Sequence, residues 1–396
     1  MRLNPIVCFF FPVLAWSVDS HPVSYPSKAI YLLTNNAENA IVGVSIRKNG
    51  LLGNAQATLT GGTGERALQN DGQPAGPDSL FSQGAVAVTE EYIFAVNPGC
   101  NTLSMLRANK TSPSKLTLVG EPAKIPGDSP NTVAASAKGR LVCVGTTGTK
   151  AGVSCTTYDK HGLGNFDDLR PFELGQSTPP VGPANTVSQV LFSADKSALY
   201  VTVKGDGTAN NTGYLSVFPR LYGSSPETPA TLSREDIRSS PNGTGLLFGS
   251  AIIPPSDIIL VTDPGFGAAV LSVNESTHEA GLMAKTIIPG QTATCWAAYS
   301  AMTNSFFVTD VAVNRLVELD AVDARILRTT SLPYDDPGLV DLVVVDRFVY
   351  ALSPGNGTTD AAITVVDIEK NQQVQHYSLK AFGVGPGAMG MAYLEL

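Results

Sequence analysis

Three cations and five aromatic side chains are the residues of this chain best suited to chemistry. Arg66, Lys204 and Arg238 fall in or beside segments rich in Gly, Asn, Asp and Pro, as do Phe81, Phe248, Phe266, Trp296 and Tyr334. Cationic donors and aromatic rings gathered at one mouth would make a pocket with aromatic walls and a few polar anchors, the form usual for small-molecule sites. Arg66, Lys204 and Arg238 are the candidate donors; Phe81, Phe248, Phe266, Trp296 and Tyr334 are the candidate walls. The plainer alternatives are packing between repeats for the rings, and a solvated or ion-paired surface for Arg66 and Arg238. Asn36, Asn97, Asp263 and Asp310 read as turn formers, because short polar side chains bond to nearby backbone.

What is absent narrows the chemistry. The chain has 4 His. His21 lies near the amino end, His161 and His278 in turns, and His376 in an outer strand of the last repeat. A histidine base or a histidine metal cluster is not expected. There is no G-x-S-x-G elbow, P-loop or dinucleotide fingerprint either. The expected site uses no cofactor and no metal, and takes a small apolar, oxygenated substrate.

The elements that must position these residues repeat along the chain. "IYLLTNNAENAIVGVSI" at Ile30 is an apolar run, a small polar break and a second apolar run. The pattern returns at Tyr92, Leu141, Leu199, Ile258, Phe306 and Phe348. Each copy reads as a hairpin, and the spacing of roughly 40 to 65 residues is that of propeller blades. Most copies follow a further short run ("GAVAV", "SQVLF", "LVDLVVV"), and several precede one ("KLTLVGE"). The first copy lacks a leading strand, while "GAMGMAYLEL" at the carboxyl end is a spare one. The fold expected is all-β: a seven-bladed propeller over residues 30–396, closed when the last strand completes the first blade.

In such a ring, each hairpin loop shares one face with the connection into the next inner strand. That places the candidate residues around one mouth. The connection from Thr60 to Gly84 is far longer than an ordinary loop, and long ordered loops commonly carry function. It contributes Arg66, Asp71 and Phe81. Gln291 and Asp336 fall on the same face.

Composition sets the outer limits. Charged residues make up 15%, with 38 Gly and 27 Pro, which fits a turn-rich β protein and not a disordered chain. A net charge of -8 without any basic run argues against nucleic-acid binding. No stretch of the body reaches transmembrane length. "MRLNPIVCFFFPVLAWS" reads as a signal peptide over residues 1–17, followed by a linker over 18–29. Five sequons, at Asn109, Asn210, Asn242, Asn274 and Asn356, agree with passage through the secretory pathway, whether to the outside or to a vesicular or vacuolar compartment. Of the 5 Cys, Cys8 goes with the signal. Cys143 and Cys155 lie on two arms of one hairpin, where a disulfide is geometrically reasonable. Cys100 and Cys295 read as separate free thiols.

The units "IYLLTNN", "IFAVNPGCNTLSML" and "FFVTDVAVNRLVELD" resemble the YVTN-type repeats of lactonase-like propellers. The whole chain resembles fungal secreted proteins of the 3-carboxymuconate cyclase-like group. It is similar in type to the hetero-Diels–Alderases of tropolone–sesquiterpenoid biosynthesis, which share its size, signal peptide, sequons and His-poor mouth. The resemblance implies a cyclase or isomerase of secondary metabolism that joins an ortho-quinone methide to a sesquiterpene alkene. Two alternatives stand beside it: a non-catalytic cell-wall glycoprotein or adhesin, and a lactonising cyclase.

Overall fold

The computed structural model describes Met1, residues 27–221 and residues 231–396. The rest of the expected signal peptide, Cys8, His21 and residues 18–26 of the linker lie outside the described residues. Seven antiparallel sheets surround one axis. Blade 1 contains strands Lys28–Leu33, Ala40–Ile46 and Leu52–Leu59. The inner strands of blades 2 to 7 are Val86–Thr89, Pro130–Ser136, Val187–Phe192, Ser250–Ile252, Thr294–Ser300 and Val340–Val345. The carboxyl-terminal strand Met389–Glu395 pairs with Lys28–Leu33 and is the inner strand of blade 1, so the ring closes as the repeats imply. Ser27 and Leu396 exchange both backbone hydrogen bonds, which starts the first strand ahead of residue 30. No helix among the described residues is long and apolar enough to cross a membrane.

Burial explains why the repeats were readable. The second strands Tyr92–Asn97, Leu141–Thr146, Ala198–Val203, Ser305–Asp310 and Phe348–Ser353 are buried at every position, because a blade lies against each face. Such strands read as unbroken apolar runs. Outer strands such as Ile326–Ser331 alternate between half-buried and exposed residues and carry a weaker signal. In blades 2 to 4 the outer edge is split into two pieces that both pair with the third strand. Cys143 stands opposite Cys155 in the blade 3 hairpin and the two are joined by a disulfide.

Two irregularities build the axis. Inner strands carry a β-bulge, a device that re-aims a side chain. The register slips around Asn131, Ser188, Cys295 and Asp341. In blade 5, Phe248 N–H donates to Thr262 and Thr262 N–H donates to Gly249, which puts Phe248 in the equivalent place. The second irregularity is the Thr60–Gly84 connection, which enters the channel and plugs it. Gln83 N–H donates to the Ser188 carbonyl, and its side-chain amide donates to Ala297 O at 2.8 Å. Ser82 Oγ donates to Asn131 O at 2.7 Å, Trp296 Nε1 donates to Ser82 O at 3.1 Å, and Gly84 N–H donates to Asp341 Oδ2 at 3.1 Å. Inserted backbone is thereby bonded by blades 4, 6 and 7, and the Ser82 hydroxyl by blade 3.

Candidate functional site

Above the plug lies a cavity of about 470 Å³. Its walls are mostly apolar, including Pro77, Phe81, Leu246, Phe248 and Val311. Lys204, Pro264 and Val311 occupy one repeat position, just beyond the second strand of blades 4, 5 and 6, and all three line it. A concave, mostly apolar cavity with a few polar groups is the form usual for small-molecule sites.

Lys204 is the cation that this pocket contains. Its side chain is 3% exposed. Nζ donates to the Phe81 carbonyl at 2.6 Å and to Ser188 Oγ at 2.9 Å, and sits 4.2 Å from the centre of the Phe248 ring. An ammonium has three donors, so these two bonds leave one N–H for a guest or for Asp78. Phe81 has φ +53, a left-handed conformation uncommon for a bulky residue, and this turns its carbonyl and ring at the channel.

Asp78 and Cys295 complete the polar part of the lining. Burial pushes the Asp78 carboxyl up to about 7 against the opposing pull of Lys204 and of backbone N–H groups at Phe81, Ser82 and Leu80. Burial likewise lowers Lys204 to about 8, with Asp78 opposing the drop. The Cys295 thiol is raised well above its ordinary value by burial and by Asp78. Burial thus shifts the carboxyl up and the amine down within one cleft, and such shifts are common at functional sites. Among the described residues, no group of three or more His, Cys, Asp or Glu is placed to hold a metal.

The other candidates land elsewhere. Arg66 is held behind the loop wall, where Nε donates to Ala75 O at 2.6 Å and a terminal nitrogen donates to Pro74 O at 3.2 Å. Arg238 lies in the split outer edge of blade 4, paired with Asp236 at 2.7 Å and stacked over Phe172 and Tyr214. Phe81 and Phe248 line the cavity. Trp296 is fully buried behind Phe248, edge-on at 5.4 Å. Phe266 is half-buried against the core of blades 4 and 5 and faces Lys285 at 5.1 Å. Tyr334 is 52% exposed and stacks on His376, whose Nε2 is 3.0 Å from Asp336. Asp263 and Asp310 each accept three backbone N–H bonds that tie a connection to a hairpin loop. The five sequon asparagines are exposed, and Cys100 and Cys295 are free thiols.

Sequence reasoning missed Asp78 and Cys295 as parts of a site. Asp78 reads as a turn former in "GPDSL". Cys295 had a usable signal: Asn131, Ser188, Phe248 and Cys295 stand at the same spacing from Gly145, Thr202, Thr262 and Thr309, which marks one axial position per blade.

No family model matches the sequence, and no curated protein does. Solved structures do. The chain is similar to a periplasmic gluconolactonase of Pseudomonas aeruginosa, with a TM-score of 0.67 and 14% identity over 94% of this chain and 99% of that one. It is also similar to a Bacteroides fragilis protein provisionally assigned as a 6-phosphogluconolactonase, with a TM-score of 0.63 and 10% identity over 95% and 100% of the two chains. A Bacteroides uniformis protein of the same provisional assignment gives 0.61 and 11% over 94% and 100%. At these identities the likeness is one of fold.

Proposed function

We propose that the plugged cavity is the active site of a cofactor-independent cyclase or isomerase, and that its reaction is a hetero-Diels–Alder ring closure between an ortho-quinone methide and an alkene. The observation that carries this reading is a buried ammonium, Lys204, set over Phe248 at the base of a mostly apolar pocket. The reaction loses no atoms. One C–C and one C–O bond form as three π bonds become one, so neither nucleophile nor redox partner is required. What helps is confinement at near-attack distance and a donor to the oxygen as it gains charge. Lys204 is the donor, and Phe81 and Phe248 are the walls. Passage through the secretory pathway, glycosylation and a place in secondary metabolism belong to the same proposal, supported by the exposed sequons. A concave apolar pocket favours catalysis over the flat polar face expected of an adhesin.

A lactonising or lactone-opening reaction is the second reading. Asp78 beside Lys204 supports it, since a carboxylate of raised pKa can act as a base near neutral pH. The solved structures named above point the same way. The two readings separate in one experiment. The glycosylated protein is incubated with a generated ortho-quinone methide and a humulene alcohol, and in parallel with gluconolactone. Faster formation of one stereoisomer than in the protein-free control supports ring closure; hydrolysis of the lactone alone overturns it in favour of the second reading.

A further inference from the structure

The Asp78 carboxylate is a group that donation by Lys204 to a substrate oxygen does not itself require. It is 8% exposed and lines the cavity, and its Oδ1 accepts no hydrogen bond from any described protein group. A buried acceptor without a donor is costly, by about 1–3 kcal/mol, and more when charged. Two donors of Lys204 are already engaged, by Phe81 O and Ser188 Oγ. The lining of the pocket thus holds a buried carboxyl short of one donor and an ammonium with one N–H to spare, on a surface that is otherwise mostly apolar.

We infer that Asp78 is a specificity-determining residue, whose carboxyl accepts the hydroxyl of an uncharged ligand that gives a carbonyl oxygen to Lys204. This rests on the reading of the cavity as a substrate site and deepens it. The chemical class is a neutral hydroxy-ketone on an apolar frame. An anionic ligand is disfavoured for a plain reason. Among the described residues the cavity's lining holds one cation, Lys204, against two acidic side chains, Asp78 and Asp206, so a phosphate or carboxylate would add to an excess of acidic groups there. A substrate lacking the hydroxyl would leave the buried carboxyl short of a donor, and sites built to bond a hydroxyl reject such analogues strongly.

The test uses three probes of nearly one shape: benzoin, which carries the hydroxyl and the carbonyl; deoxybenzoin, which lacks the hydroxyl; and the benzilate anion. Dissociation constants are measured by calorimetry on the full glycosylated chain. Benzoin is expected to bind at least about tenfold more tightly than either other probe. Equal affinity for benzoin and deoxybenzoin, tighter binding of benzilate, or binding of none overturns the inference. Asp78→Leu is expected to erase the preference for benzoin while deoxybenzoin still binds. Because the backbone of residues 80–82 leans on Asp78, this variant can fail to fold, and the comparison of probes on the wild-type chain then decides. Selectivity without ring closure would keep the ligand class and overturn the catalytic proposal. Ring closure without selectivity would do the reverse.

Discussion

Blade 4 carries two of the three candidate cations, and its two ends treat them differently. At the inner end Lys204 is 3% exposed, flanked by Phe248 and close enough to Asp78 for each to shift the other's titration. At the outer edge Arg238 is half-exposed, neutralised by Asp236 and stacked on Phe172 and Tyr214. Both residues could donate a hydrogen bond. Only the first does so from a buried position, where a charge acts through a lower dielectric and is weakly screened. The second is a surface ion pair of the kind that contributes about 0–1 kcal/mol. Depth along the blade, not residue type, separates the two.

Breaking the inner end should therefore cost much and breaking the outer end little. The largest effect is expected of Trp296→Ala, which removes a fully buried indole and its bond to the plug at Ser82. Chemical denaturation should show a loss of about 3–5 kcal/mol. Lys204→Met comes next: ring closure should slow by about 10²–10³-fold, the range for losing one donor to a developing oxyanion. Its melting temperature, read in parallel, separates this from unfolding.

The acid–base couple gives a finer test. Lys204 keeps its charge and its third N–H only while protonated, so turnover should fall as pH rises through its pKa of about 8. Asp78 raises that pKa, and Asp78→Asn removes the opposing charge, so the alkaline fall should move to lower pH. Cys295, a further titratable group in the same lining, stays protonated across this range because burial and Asp78 hold its thiol up. A pH–rate profile that is unmoved by Asp78→Asn would break the link between the two groups. The smallest effect is expected of Arg238→Ala, with stability lowered by at most about 1 kcal/mol and turnover unchanged.

The same contrast marks what the sequence made legible. The second strands announce themselves because burial on both faces writes unbroken apolar runs, and the unmatched strand at Met389–Glu395 announces ring closure. The face of the ring was legible too, since the long connection from Thr60 and the residue after Val203 both reach the mouth. Radial depth was not. Arg66 and Lys204 look alike in local sequence, yet carbonyls of its own loop claim the first. Asp78 looks like a turn residue, and only the insertion of residues 79–84 into the channel turns it into a buried carboxylate facing Lys204. Trp296 reads as a possible wall but packs one layer behind it, because the bulge at Cys295 points the neighbouring residue, not Trp296, at the cavity. Bulges and plugs are set by contacts between distant segments, which no local pattern records.

The most direct measurement compares three proteins in one assay: wild type, Lys204→Met and Arg238→Ala, each at single turnover with the generated ortho-quinone methide and the alkene. The account predicts one stereoisomer formed at equal rates by wild type and Arg238→Ala, and a rate and product mixture close to the protein-free control for Lys204→Met. Unchanged catalysis in Lys204→Met, or its loss in Arg238→Ala alone, would contradict the claim that the buried axial cation does the chemistry.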